Sequence, residues 1–218
     1  MFYRDSRQIY RCSELDAFDW LVHGFGTRHS DIPALFQNLA TLKQIHSSNC
    51  VTACGRTGVL GQADALIENI PGAVVAVKTA DCIPILLVDD RHRAVAAVHA
   101  GWRGTAAHVV QRAIDAMARE FDTRPGNLHA AIGPGIGKCC YEVGPEVAAQ
   151  FGEAGRAHIG LAEENRRQLA ERGVSRIYIA DLCTRCLPEE FHSYRRDGEK
   201  AGRLYSFIGR ADVSPRAD

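Results

Sequence analysis

No apolar run in this chain is long enough to cross a bilayer. The longest, IPILLV at 83–88 and AVAAV at 94–98, fall far short of the roughly 20 residues a membrane helix needs, so no membrane partner is expected. An excess of one charge is missing too: 26 Lys and Arg balance 26 Asp and Glu. With no long basic run, non-specific nucleic-acid binding has little electrostatic support, and no nucleic-acid partner is expected. The opening MFYRDSRQIYRC is charged and has no apolar segment. It does not read as a secretory signal, and the cytoplasm is the expected location. No linker rich in Pro, Gly or Ser, no repeat and no low-complexity segment divides the 218 residues. The expectation is one domain over 1–218, large enough to bury a core, with a disordered tail at 211–218.

Several chemical signatures are absent as well. The nine histidines are scattered without an H-x-H pair, whereas a laccase needs several coppers held by many paired histidines. His99 is followed by Ala-Gly, so the H-x-E pattern of zinc nucleobase deaminases does not occur there. Gly133 and Gly137 enclose only three residues, and Cys139 stands where a P-loop needs Ser or Thr. The backbone of that glycine-rich stretch can form an anion nest, or simply a tight turn. Eight cysteines invite a disulfide framework, but a chain of this size does not need one, and adjacent Cys139 and Cys140 are poorly placed to pair. Reduced thiols are expected. CTRC at 183–186 has redox spacing, yet Pro188 lies too close for the helix such a motif opens. As half of a zinc ribbon it lacks a second CxxC, since Cys50 and Cys54 give only CxxxC.

What is present reads as a mixed α/β protein. Apolar stretches at 21–27 and 50–53 predict short strands. AVVAVKTADCIPILLVDD predicts two buried strands broken near 81–84, followed by a turn through Arg91 and His92 and a returning strand at 94–100. Val110, Ala113, Ile114 and Met117 recur at helical spacing, predicting a helix over 105–120 capped by Gly104 or Thr105. LHAAIG at 128–133 and RIYIADLC at 176–183 read as strands. GPEVAAQF reads as a short helix, and 161–174 as a helix ended by Gly173.

Three metal-competent residues fall at predicted strand edges: His46, Cys82 and His99. Two imidazoles and a thiolate with a fourth position open match the donor set of a catalytic zinc site. Their separations of 36 and 17 positions form no local motif, so spacing alone does not separate a metal site from unrelated core residues. Cys82 paired with His46 or His99 also suits a nucleophile–base couple, as in an amide hydrolase, with Asp81 orienting a histidine. FHSYRRDGEKAGR at 191–203 gathers Tyr194, Arg195, Arg196, Lys200 and Arg203, a set suited to phosphate or carboxylate or to a solvated basic loop. In VHAGWRGT, the turn after the 94–100 strand carries Trp102, suited to packing or to purine stacking. Arg103 follows it near a helix start, where N–H groups favour anions.

QIHSSNCV, ADALI, VKTADCIPILLVD, VAAVHAGWRGT, IGPGIGKCCYEVG and SYRRDG…AGR occur in this order. Together they resemble the YfiH-like family, whose members carry the names polyphenol oxidase (laccase-like) and purine nucleoside phosphorylase. The resemblance runs over about 21–210. It implies an α/β (α+β) layered sandwich with mixed β-sheets flanked by helices, likened to the catalytic domain of a deamidating bacterial toxin. It implies a catalytic metal site of His46, Cys82 and His99 holding Zn2+, or Cu2+ in the laccase reading. The implied reactions are phosphorolysis of adenosine, inosine, guanosine and methylthioadenosine, adenosine deamination, and phenol oxidation. A single His₂Cys site suits Lewis-acid work better than four-electron oxygen reduction. Purine nucleoside and phosphate are therefore the expected partners, with Arg28, Gln44, Arg103 and Arg195 as the substrate- and phosphate-binding candidates. Where many relatives carry an additional helix after the arginine of GTRHSD, this chain runs almost directly to LKQIH. Phe191–His192 stands where a phenylalanine pair is usual before SYRR.

Overall fold

A computed structural model describes residues 1–211. Three strands open the chain: β1 (Phe2–Arg4), β2 (Ile9–Cys12) and β3 (Leu21–Gly26). Next come β4 (Leu39–Lys43), β5 (Cys50–Thr52), β6 (Gly58–Gln62) and β7 (Ala65–Glu68). The central strands are β8 (Val74–Thr79), β9 (Ile83–Asp89) and β10 (Ala94–Ala100). The later ones are β11 (Leu128–Ile132), β12 (Glu142–Val143), β13 (Ala157–His158), β14 (Arg176–Ile179) and β15 (Leu204–Arg210). The helices are α1 (Ile32–Leu35), α2 (Trp102–Ala106), α3 (Val109–Phe121), α4 (Pro145–Ala148), α5 (Leu161–Glu171) and α6 (Tyr194–Asp197).

The strands form a seven-stranded sheet in the order β1-β2-β3-β15-β8-β4-β6 and a six-stranded sheet in the order β14-β11-β9-β10-β7-β5, with β12-β13 as a separate pair. Both large sheets are mixed: β4 is parallel to its neighbours β6 and β8, and β7 is parallel to β5 but antiparallel to β10. This is the α/β layered sandwich the resemblance implies. Alternation along β9 and β10 shows the layering. Ile83, Ile85, Leu87, Ala96 and Val98 face a core shared with Val110, Ile114 and Met117 of α3 and Leu169 of α5. Leu86, Val88, Val95 and Ala97 face a second core against Phe25, Val75, Val77 and Ile208 of the other sheet. Strands buried on both faces read as continuous apolar runs, which is why β8, β9 and β10 are legible in sequence. The period of two places His99 on the same face of β10 as Val95 and Ala97, at the end of the strand between the two sheets.

Two differences from the sequence expectation have physical causes. The helix expected over 105–120 is two helices. α2 begins at Trp102 after Gly101, and the chain breaks at His108, whose φ of 59° lies in the left-handed region. The break is stabilised from α5: Gln168 Nε2 donates to Thr105 O over 2.9 Å, and Asn165 Nδ2 donates to Thr105 Oγ1 over 3.0 Å. The Thr105 carbonyl, which also accepts from the His108 N–H over 3.0 Å, thus gains a second donor at the break. The strand expected over 176–183 stops at Ile179, because Asp181 turns left-handed (φ 52°) before Cys183 bridges to Gly135. The charged N-terminus forms β1 and β2, and LYSFIGR forms β15 at the centre of its sheet. Of the tail expected to be disordered, Ala211 donates to Trp20 O over 2.7 Å, and 212–218 lie outside the described residues.

Candidate metal centre

The loop leaving β4 carries His46, the turn between β8 and β9 carries Cys82, and the end of β10 carries His99. Their ligand atoms lie within 4.8 Å of one another. Cys82 Sγ is 4.0 Å from His46 Nε2, and the two imidazoles meet edge to face at a centroid distance of 5.0 Å. Sequence spacing could not bring these residues together; the three strand ends do.

A fourth residue organises the set. Asp64, fully buried, accepts from His99 Nδ1 over 2.8 Å, which leaves Nε2 of His99 as its free donor atom. The same carboxylate accepts from the backbone N–H of Ile45, His46 and Ser47 at 3.3, 3.0 and 2.5 Å, and from Ser47 Oγ at 2.7 Å. His46 needs such a tether, since its φ of 58° is unfavourable for a residue with a side chain. One carboxylate thus orients both histidines.

Asp81, the sequence candidate for orienting a histidine, does something else. Its carboxylate accepts from Thr184 Oγ1 (2.6 Å), Ser193 Oγ (3.1 Å) and the backbone N–H of Arg195 (2.6 Å). Its φ of 86° sits in the left-handed region next to Cys82. Asp81 ties the SYRR segment to the metal-competent thiol. The ADALI stretch did carry a signal for Asp64, an acidic residue inside an apolar strand entry, where burial demands partners.

Electrostatics match the geometry. Burial disfavours ionised Asp64, but the His99 imidazole and Ser47 together bring it down to about 2. Burial likewise opposes the Cys82 thiolate, and the imidazoles of His46 and His99 overcome it, lowering the thiol to about 6. The donor set and its carboxylate–histidine partner fit a metal ion. Gly101 leaves room for it: a Cβ there would sit 2.9 Å from Cys82 Sγ and 3.0 Å from His46 Cδ2.

His46, Cys82 and His99 line a cavity of about 770 Å3. Gln44, Arg103 and Arg195 also line it, together with Lys78, Trp102 and Tyr141. Gln44 spends its amide on the backbone of Lys78, donating to O over 2.6 Å and accepting from N over 2.8 Å, so it acts as an extension of the strand pairing. The Arg103 guanidinium stacks on the Trp102 ring at 4.3 Å. Arg195 donates to Glu142 O over 2.9 Å and lies 5.2 Å from the Tyr141 ring centre. Arg28 is not among the residues lining the cavity. Its guanidinium donates to Pro188 O over 2.6 Å and its N–H to Glu190 O over 2.9 Å, holding the loop before α6. Trp102 both lines the cavity and packs against the helix-facing core.

Residues 28–211 match the family described as multi-copper polyphenol oxidoreductase laccase. A purine nucleoside phosphorylase of Deinococcus radiodurans is 38% identical over 182 residues, which is 79% of this chain and 70% of that protein. A protein named adenosine deaminase, from an unknown prokaryotic organism, is 39% identical over 163 residues, which is 67% of this chain and 62% of that protein. In three dimensions, the YfiH protein of Bacillus licheniformis superposes with a TM-score of 0.87 at 25% identity, covering 95% of this chain and 98% of that one. The chain belongs to this laccase-like family, the YfiH-like family that its motifs resemble.

Proposed function

We propose that the protein is a zinc-dependent purine nucleoside phosphorylase with adenosine deaminase activity, using His46, Cys82 and His99 as metal ligands. The observation that carries this reading is one cavity that joins this donor set to Lys78, Arg103 and Arg195 and to the rings of Trp102 and Tyr141. The names of the related phosphorylase and deaminase agree with it. Zinc held there would supply a Lewis acid with one open position.

The chain's own residues supply the rest. Arg103 and Arg195 take the phosphate oxygens by charge-assisted hydrogen bonds, and Lys78 adds positive charge. Trp102 and Tyr141 offer faces for a purine. Asp64 keeps the proton on Nδ1 of His99, so that Nε2 stays available as a donor. In phosphorolysis a phosphate oxygen bonds to C1′ of the ribose as the bond from C1′ to N9 breaks. In deamination water adds at C6 and ammonia leaves.

The test is direct. Zinc-loaded protein is incubated with adenosine, with and without phosphate, and products are separated by chromatography. Adenine that depends on phosphate, inosine with or without it, and hypoxanthine only when phosphate is present are expected. Absence of all three overturns the reading.

A copper-dependent phenol oxidase is the second reading, favoured by the His₂Cys donor set, which copper also accepts, and by the family's description. Zinc without copper in the purified protein, and no phenol oxidation after copper loading, would exclude it.

A further inference from the structure

Four cysteines outside the cavity lining form a second cluster: Cys139, Cys140, Cys183 and Cys186. The sequence offered CTRC as half of a zinc site with no second CxxC to complete it. The fold supplies the other half as the adjacent pair Cys139–Cys140. All four sulphurs lie within 4.8 Å of one another. Three separations are 3.7 Å (Cys139 to Cys140), 3.7 Å (Cys139 to Cys186) and 3.4 Å (Cys140 to Cys186).

Those distances discriminate between chemistries. A disulfide needs sulphurs about 2.05 Å apart. A tetrahedral zinc with bonds of about 2.3 Å sets its sulphurs about 3.8 Å apart along each edge. The observed spacings suit four thiolates around one ion, and are too close for ligands spread around an iron–sulphur cluster.

The backbone builds the cluster rather than leaving it to chance. Cys140 and Tyr141 donate to Gly137 O over 2.9 and 3.1 Å, forming the turn that presents the adjacent pair. Leu187 donates to Cys183 O over 3.2 Å, closing the CTRC turn. The two turns are joined through Gly135, which pairs with Cys183 and accepts from Thr184 N over 3.0 Å. Gly137 N–H donates to Cys183 Sγ over 3.3 Å, and Arg185 donates to Cys140 Sγ over 3.6 Å. Hydrogen bonds and a cation directed at sulphur offset the negative charge of a tetrathiolate. A Cβ on Gly137 would sit 3.2 Å from Cys139 Sγ and 3.2 Å from Cys183 Cβ, so glycine makes the space.

We infer that Cys139, Cys140, Cys183 and Cys186 bind a second, structural zinc ion. Four protein ligands leave no open position, so its role is to clip two loops together. One of those loops reaches the cavity wall, and the other braces the turn that carries Cys82. Tyr141, next to Cys140, lines the cavity, and Thr184, next to Cys183, donates to Asp81 beside Cys82. The inference does not depend on the function proposed above.

The test isolates this site from the first. The full chain carrying His46→Ala, Cys82→Ser and His99→Ala is purified under reducing conditions from zinc-supplemented cells and its metal is measured. One zinc per chain is expected, and two in the unmodified protein. Cobalt replacing that zinc should give a strong thiolate-to-cobalt charge-transfer band that saturates at one equivalent. Adding Cys183→Ser and Cys186→Ser should remove both metal and band. If that protein does not fold, Cys139→Ser alone should weaken the band. No metal in the triple variant, four thiols that react equally fast with and without zinc, or iron with inorganic sulphide at the cluster would each overturn the inference. Loss of adenosine conversion alone bears on the first site and leaves this readout intact.

Discussion

His99 is tied to Asp64 twice. Its backbone N–H donates to Asp64 O over 2.7 Å, and its Nδ1 donates to the Asp64 carboxylate over 2.8 Å. The first bond extends the β10–β7 pairing by one rung, and the second uses that rung to aim the imidazole. Because the same carboxylate holds the backbone at 45–47, both histidines of the set share one orienting group. Four predictions start from this arrangement, and a fifth concerns a buried histidine elsewhere.

Asp64→Asn preserves shape but turns one acceptor oxygen into a donor facing N–H groups. Metal affinity at the His46–Cys82–His99 set should fall about 10–100-fold, measured by competition with a chelator. Unchanged affinity in a folded protein would show that the carboxylate does not orient the ligands.

Cys82→Ser removes the thiolate with little change of volume. The protein should stay folded, lose the metal of the first site and lose adenosine conversion. Metal analysis alongside circular dichroism checks both halves, and full zinc retention would remove Cys82 from the ligand set.

Gly101→Ala tests the space at the centre. The backbone there has φ −74°, which any residue adopts, so strain is not the cause of any effect. The added methyl would meet Cys82 Sγ and His46 Cδ2 at 2.9 and 3.0 Å. Weaker metal binding with nearly unchanged thermal unfolding is the expected pair of results.

Arg103→Ala should raise the KM for phosphate about tenfold or more, an effect of about 1.4 kcal/mol. Deamination, which uses no phosphate, should keep its kcat. Arg103→Lys should restore charge but not the planar stack on Trp102. Equal losses in both reactions would assign Arg103 to the nucleoside instead.

His23 is buried, and burial followed by the Arg11 charge lowers it to about 4. Its folded pKa lies below the ordinary value, so the native state holds it neutral. Its contribution to stability is full above about pH 6.5 and is lost as pH falls toward about 4, with a slope up to about 1.4 kcal/mol per pH unit. His23→Gln can keep an acceptor for the Cys12 N–H, which His23 Nε2 receives over 3.1 Å, and has no proton to gain. Acid unfolding of the two proteins should diverge in that window, and parallel curves would contradict it.

The central strands and the amphipathic α3 were readable because burial on both faces, or on one helical stripe, writes itself into local periodicity. β1, β2 and β15 were not, since their apolar residues are interleaved with Arg and Tyr, and pairing in a mixed sheet rather than local propensity makes them strands. The break at His108 was hidden for a similar reason: its stabilising partners, Asn165 and Gln168, are about 60 residues away in the chain.

At the level of the site, the sequence by itself supplied the candidate donors His46, Cys82 and His99, a basic segment through Arg195, and Arg103 beside Trp102. Tertiary structure decided how those groups are used. It gave the orienting role to Asp64 rather than Asp81, committed Arg28 to a loop and Gln44 to backbone pairing, and completed CTRC with Cys139 and Cys140. The physical reason is that ligand identity is a property of single residues, whereas ligand geometry requires atoms from strand ends and turns far apart in the chain to meet within a few ångströms.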